Sequence, residues 1–267
     1  MKQKMSSEFI YQLFALLIAV ILVHALYVGL IRPSAKAHLA QEAAMQAAGE
    51  LDVTTRSLAV VIGDFEQEAC FILLIWALAI MGYKGRRGMH ERAMLERQLL
   101  DIPEGTSVLP EDAREYSRSL EALPEAEQDY LLPRTLLSAL QRFATTSSIQ
   151  AVSDTIKEQC EIESDRLDSE NSMVRYIAWA IPSIGFIGTV RGIGDALGQA
   201  YKAVEGDISG VTVSLGVAFN STFVALVLSI IIMFALHQLQ LSQERLVLST
   251  QRYVDRKLLR HLAVPTL

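Results

Sequence analysis

Four runs of mainly apolar residues, separated by charged stretches, set the pattern of this chain. They cover residues 9–31, 70–83, 174–197 and 211–236. A transmembrane helix needs about 20 predominantly apolar residues, and three of the runs reach that length. The second run spans only about 21 Å as a helix, so we expect its helix to begin among the preceding acidic residues and to enter the membrane near Ala69. The pattern predicts an all-α membrane protein with four transmembrane helices.

The runs divide the chain into six predicted segments. Arg32-Pro33 is expected to end the first helix, because proline resists helix continuation. The segments are the first transmembrane helix (1–32), a periplasmic helical segment (33–68), the second transmembrane helix (69–83), a cytoplasmic helical region (84–172), a transmembrane hairpin (173–236) and a cytoplasmic C-terminal helix (237–267).

Two stretches predict helices that continue beyond the membrane. No proline or glycine lies between Pro133 and Pro182, which predicts one long helix that rises into the third span. After the fourth span, Leu239, Leu246 and Tyr253 recur at seven-residue spacing and form one stripe of a helix. We therefore expect long cytoplasmic helical extensions of the third and fourth spans.

Basic residues set the predicted orientation. Cytoplasmic ends of membrane helices carry an excess of Lys and Arg. With both termini in the cytoplasm, most of the basic residues that flank the spans lie on that side: Lys2, Lys4, Lys84, Arg86, Arg87, Arg92, Arg175, Arg245, Arg252, Arg256, Lys257 and Arg260. The first run has 23 residues, which is too long for a typical signal peptide, and it is interpreted as a retained helix.

Composition excludes several classes of protein. The net charge of −6 gives no nucleic-acid footprint. Cys70 and Cys160 form no metal-binding pattern and are expected to lie in different compartments, so neither a disulfide nor a metal site is predicted. Ser183 has no nucleophile elbow or catalytic partner around it, so the chain is not expected to be an enzyme or to need a cofactor.

Glycines mark one face of the third span. Gly185, Gly188 and Gly192 lie at i, i+3 and i+7, and such faces let membrane helices approach closely. By spacing alone, a plain packing face is the favoured interpretation. Pro182 is expected to kink this helix and to free the carbonyl near residue 178, and Thr189 lies beside the glycine face.

A polar cluster interrupts the fourth span. Asn220, Ser221 and Thr222 are consecutive polar residues inside an apolar run, which is costly unless they face a bundle interior or a water-lined path. The third and fourth spans form a predicted hairpin, so the hydroxyls of Thr189 and Thr222 can lie close together.

Charged residues suggest an outer mouth. Arg191 and Asp195 stand at i, i+4, which is typical of a structural ion pair, or of a pair that contacts a partner or a neighbouring subunit. Asp64, Glu66 and Glu68 could gather cations at an entrance, although a solvated helix start is the favoured interpretation.

The third and fourth spans resemble the MotA/TolQ/ExbB family of motor-channel subunits. The family motif Pro-x-x-Gly-x-x-Gly-Thr-Val-x-Gly is present from Pro182 to Gly192, and the family's Ala-Leu-x-Thr-Thr-x-x-Gly-Leu segment is similar to residues 218–226. Ser221 replaces the first threonine of that segment, Ala225 replaces its glycine, and Arg191 stands where an aromatic residue is common. Four spans resemble the MotA branch and the motif spelling resembles TolQ and ExbB, so the branch stays open.

The resemblance implies a fold and a function. Family members form a pentamer around two copies of a single-span partner like MotB, TolR or ExbD, whose aspartate carries the proton. Thr189, Thr222, Ser221 and Asn220 are then expected to line the ion pathway in the bacterial inner membrane, with H⁺ as the ion and Na⁺ as the alternative. His24 matches no part of the motif and is interpreted as an interfacial side chain.

One rival function is a structural four-helix membrane scaffold that conducts no ions. It explains the glycines, because faces of small residues need no transport role. The scaffold hypothesis does not explain the polar cluster of the fourth span.

Overall fold

The computed structural model describes residues 2–47, 57–103 and 105–264, and most of them are helical. Within these ranges the only strand-like pairing is one bridge, between Val108 and Leu262, which confirms the all-α prediction for this part of the chain. The helices are α1 (Lys2–Leu26), α2 (Arg32–Ala47), α3 (Leu58–Val61), α4 (Phe65–Met94), α5 (Ala113–Glu121), α6 (Glu125–Gln128), α7 (Leu131–Thr146), α8 (Ile149–Glu170), α9 (Ser172–Gly198), α10 (Ala200–Val204) and α11 (Ser209–Lys257).

Four helical stretches among the described residues are long and apolar enough to cross a membrane. They are Glu8–Glu42, Phe65–Met94, Ile149–Gly198 and Ser209–His261. Only 17% to 39% of the residues in their most apolar windows are buried. Their outward surface is therefore largely apolar, as a helix in lipid requires.

The chain divides into two compact units. The first comprises Met1–Gly82 and Met173–Leu236, and the second comprises Tyr83–Ser172 and His237–Leu267. Helices α4 and α11 contribute residues to both units.

A stripe of buried residues holds the first helix of the first unit in place. Ala19, Val23, Tyr27, Ile31 and Ala35 recur at every fourth position and are all buried, as expected for the face of a helix that packs on a neighbour. Part of this stripe packs against Ile62 and against Phe71, Ile72 and Ile75 of α4. The other faces of this helix carry exposed apolar side chains.

The first helix does not end at Arg32-Pro33, contrary to the sequence prediction. A π-helical turn, Tyr27–Ile31, joins α1 to α2, and the Arg32 amide donates to the Tyr27 carbonyl. Such a widened turn changes the hydrogen-bond pattern just where proline lacks its N–H, so the helix continues to Ala47. Residues 48–56 of the predicted periplasmic segment lie outside the described residues.

The predicted long helix from Pro133 into the third span is also wrong, because Ser147 interrupts it. Ser147 has a left-handed backbone with φ of 49° and ends α7, where its amide donates to the Phe143 carbonyl. Ser148 then caps α8, since its hydroxyl accepts from the Ala151 amide at 3.3 Å. The chain turns here without glycine or proline, which is why the sequence did not indicate the end of a helix.

Buried charges tie α4, α7 and α8 together in the second unit. The carboxylate of Glu163, 2% exposed, accepts from Arg134 at 2.7 Å and from Arg166 at 2.5 and 3.0 Å. Lys84 donates to Glu170 at 3.0 Å. Because the buried Glu163 carboxylate and the buried Lys84 ammonium group each have a partner of opposite charge, the desolvation cost of each is offset.

The fourth apolar run lies in a single helix of 49 residues, α11. It continues well past the end of the apolar run at residue 236, as the heptad spacing predicted. A helix of this length spans about 74 Å.

Candidate functional site

Helices α9 and α11 meet along an antiparallel seam of very small residues. A Cβ added to any of the three predicted glycines would collide with α11. The facing pairs are Gly185 with Ala225, Gly188 with Ser221, and Gly192 with Ala218. The glycines therefore form a packing face, as their spacing indicated, and the close approach fixes which residues of the two helices can meet.

Two threonine hydroxyls meet across this seam. Thr189 Oγ1 and Thr222 Oγ1 are hydrogen-bonded to each other. Thr189 Oγ1 also lies 3.1 Å from the Ala218 carbonyl and 3.3 Å from the Gly185 carbonyl, and Thr222 Oγ1 lies 3.2 Å from the Gly185 carbonyl. Both side chains are half-buried, so part of the pair is open to a group outside the seam.

This hydroxyl pair can serve a proton donor or a proton acceptor. Each hydroxyl has one O–H to donate and two lone pairs to accept with. When one hydroxyl donates to the other and the second donates to a carbonyl, the remaining lone pairs are free to accept from water or a protonated carboxyl group. A rotation of either O–H away from its carbonyl lets it donate to a carboxylate instead.

Pro182 contributes a further link across the same seam. Proline has no N–H, so the carbonyl of Ala178 loses its usual helical partner. Ser229 of α11 donates to this carbonyl at 3.1 Å, and α9 continues without a break through Pro182. The sequence indicated the freed carbonyl, but nothing in it singled out Ser229 as the donor.

The other two residues of the polar cluster lie apart from the hydroxyl pair. Ser221 is buried at Gly188 and donates to the Val217 carbonyl at 2.9 Å. Asn220 lines a separate cavity of about 680 Å³, together with Arg32 and Asp64. Consecutive residues of a helix point about 100° apart, so within one chain the three polar side chains face different surroundings.

Arg191 has a different main partner from the one predicted. Its guanidinium donates to both carboxylate oxygens of Glu66, at 2.7 and 2.8 Å. The Asp195 carboxylate is farther away, at 3.8 Å. The bidentate pair therefore joins α9 to the start of α4 within one chain, beside Gly188, where the Glu66 side chain fills part of the space that glycine leaves.

Glu68 is a buried charge and not part of a solvated helix start. It is 7% exposed, and its carboxylate contacts His24 Nδ1 at 2.7 Å and the Arg32 guanidinium. The favoured interpretation of the acidic cluster is therefore wrong for Glu68, and Glu66 is likewise bound. The sequence did hold a signal for this buried ion pair, because His24 and Arg32 are polar residues in or next to an apolar helix and need a partner.

Around the hydroxyl pair, the two helices carry no carboxylate of their own. Between Ser209 and Gln243, α11 has no acidic residue, and the first acidic residue of α9 is Asp195. The described residues contain no group of His, Cys, Asp and Glu side chains that could hold a metal ion. Cys70 and Cys160 are both free and buried.

Comparison with known protein families identifies the segment of the chain that contains the seam of α9 and α11. Residues 127–252, just under half of the chain, match the sequence profile of the MotA/TolQ/ExbB proton channel family, which confirms the resemblance drawn from the motif. The match contains α9, most of α11 and both threonines. Searches of characterised proteins and of solved structures gave no match. The chain is thus a multi-pass membrane protein with a channel-family domain.

Proposed function

We propose that this chain, with its MotA/TolQ/ExbB proton channel domain, is the pore-forming subunit of a motor channel driven by the proton-motive force. Five copies surround two copies of a single-span partner like MotB, TolR or ExbD. The partner's aspartate takes up and releases the proton, and the assembly converts the flow into rotation or force across the bacterial inner membrane. Both termini of the chain lie in the cytoplasm.

The hydroxyl pair of Thr189 and Thr222 carries this proposal. The two hydroxyls can bind a carboxyl group in either protonation state. Near the pair, α9 and α11 have no carboxylate of their own. A mobile aspartate from another chain would complete the site. The membrane potential adds about 2.3 kcal/mol per charge per 100 mV to the driving force.

The same geometry supports a choice of transported ion. Two hydroxyls and two carbonyls offer fewer oxygen ligands than a dehydrated metal cation takes up, whereas a proton needs only a hydrogen-bond chain. We therefore propose H⁺ and keep Na⁺ as the alternative. Ser221 contributes to the close approach of the helices, and Asn220 contributes to the neighbouring cavity.

Substitution of Thr222 tests the role of the hydroxyls. Thr222→Val preserves the shape and removes the hydroxyl, and Thr222→Ser preserves the hydroxyl. A lost hydrogen bond to a charged group is worth about 1.5–3 kcal/mol. We expect proton flux in proteoliposomes that contain the partner to fall roughly ten- to hundredfold in Thr222→Val and to persist in Thr222→Ser. Full flux in the double variant Thr189→Val/Thr222→Val would refute the assignment.

The stoichiometry of the complex separates the motor from the rival scaffold. Co-expression with an aspartate-bearing single-span protein, followed by native mass spectrometry, should give five copies of this chain to two of the partner. The glycine seam suits a scaffold equally well. A solitary or one-to-one assembly without proton flux would favour the scaffold.

A further inference from the structure

Cationic side chains gather around the end of α11 in the second unit. Arg252, Arg256 and Arg260 line a cavity of about 410 Å³. A second cavity of about 320 Å³ adjoins it, since Arg252 and Asp255 line both, and Lys157 lines the second. Four cations thus face one carboxylate, in a chain whose net charge is −6.

The single carboxylate leaves most of this positive charge uncompensated. Asp255 already has a cation beside it, with Arg260 Nε at 3.8 Å from its Oδ2. Among the described residues, Arg252 and Arg256 have no ion-pair partner, and both side chains are exposed. A concave surface with one sign of charge raises the local concentration of ions of the opposite sign.

The arrangement of the arginines fits phosphate groups. Arg252 and Arg256 lie one turn apart on the same face of α11, so their backbone positions differ by about 6 Å along the helix. Guanidinium forks bind phosphate oxygens in pairs. Leu95 and Tyr253 also line this cavity, and the Tyr253 hydroxyl is held by the Arg97 carbonyl at 3.3 Å. The volume lies within the range of small-molecule sites, about 300–1,000 Å³.

We infer that this cavity binds a small anion with more than one phosphate group, held by Arg252 and Arg256 with support from Arg260. The same phosphate chemistry is available from a free nucleotide and from the headgroup of an anionic lipid. The site lies outside the seam of α9 and α11, so it does not depend on the proposed function.

Titration of the full-length protein in detergent tests the site. Pyrophosphate and ATP are the probes, adenosine is the uncharged control, and isothermal titration calorimetry is the readout. We expect both phosphates to bind and adenosine not to bind. The double variant Arg252→Gln/Arg256→Gln should weaken binding by roughly tenfold or more, since each charge-assisted hydrogen bond is worth about 1.5–3 kcal/mol.

Arg245→Gln is the matched control. Arg245 is also exposed and lies on α11, but it lines neither cavity, so this variant should bind pyrophosphate like the wild type. Flotation with vesicles that contain cardiolipin, whose headgroup carries two phosphates, and with phosphatidylcholine vesicles distinguishes a lipid source from a free one. Undetectable pyrophosphate binding at millimolar concentration, or an equal loss in Arg245→Gln, would overturn the inference. The melting temperature without ligand verifies that each variant is folded.

Discussion

Replacement of Gly192 by alanine should separate α9 from α11. The added Cβ would lie 2.8 Å from three atoms of α11, namely the Cβ and the amide nitrogen of Ala218 and the carbonyl oxygen of Ser214. Carbon atoms in contact prefer about 3.5–4.0 Å, so the helices must part by about 0.7 Å or more at this level. Overpacking of this kind costs about 1–3 kcal/mol.

Gly194→Ala is the matched control for this substitution. Nothing lies within 4 Å of the Cβ that it would add, and alanine favours a helix interior over glycine by about 0.5–1 kcal/mol. Thermal unfolding in detergent should therefore give a lower melting temperature for Gly192→Ala and an unchanged or slightly higher one for Gly194→Ala. Equal melting temperatures would refute the close approach of the helices.

Second-site changes sharpen this prediction. Ala218→Gly should not restore Gly192→Ala, because two of the three clashing atoms belong to the backbone of α11. In contrast, the three atoms nearest to the Cβ of Gly188→Ala would all belong to side chains, namely the Cβ and Oγ of Ser221 at 2.6 Å and Glu66 Cγ at 3.1 Å. Ser221→Gly should therefore rescue Gly188→Ala in large part. The opposite pattern of rescue would contradict the observed pairing.

Two further predictions concern charged groups outside the seam. Glu163→Gln should destabilise the protein by about 2 kcal/mol, because two arginines lose their buried carboxylate. The exposed Glu161→Gln should change little, and urea unfolding followed by circular dichroism measures both. Hydrogen bonds from the hydroxyl and amide of Ser209 hold the pKa of Asp207 below its ordinary value. A lowered pKa gives stability that is present at neutral pH and is lost as the pH falls through the folded-state pKa. The protection factors of the amides in the first turn of α11, each corrected for the intrinsic exchange rate at that pH, should therefore fall in acid, and Asp207→Asn should abolish that dependence.

The pattern of apolar residues predicted the fold correctly wherever a long apolar run or a regular helical stripe determines the element. The apolar runs located all four membrane-capable helices, and the continuous helix α11 followed from its heptad stripe. The errors arose where a short-range exception outweighed the general rule. A π-helical turn carries the first helix through Pro33, and Ser147 adopts a left-handed conformation that its residue type rarely takes.

The sequence predicted that Thr189 and Thr222 can lie close together, but it did not predict the residues around them. The meeting of Thr189 and Thr222 follows from the hairpin and from the glycine spacing. The partners of Glu66 and Glu68 depend on how α4 packs against α1 and α9, and such long-range packing leaves no local signal in the sequence. Asn220 was grouped with its neighbours because proximity in the sequence hides the rotation between successive residues of a helix.

The seam of α9 and α11 also restricts how the protein can move. A slip of one position along α9 would replace the three glycines at the contact by Phe186, Thr189 and Ile193, or by Ile184, Ile187 and Arg191 in the other direction. None of these fits a gap that excludes even a methyl group. The two helices must therefore move together wherever they form the seam, and any bending has to occur in other parts of the chain.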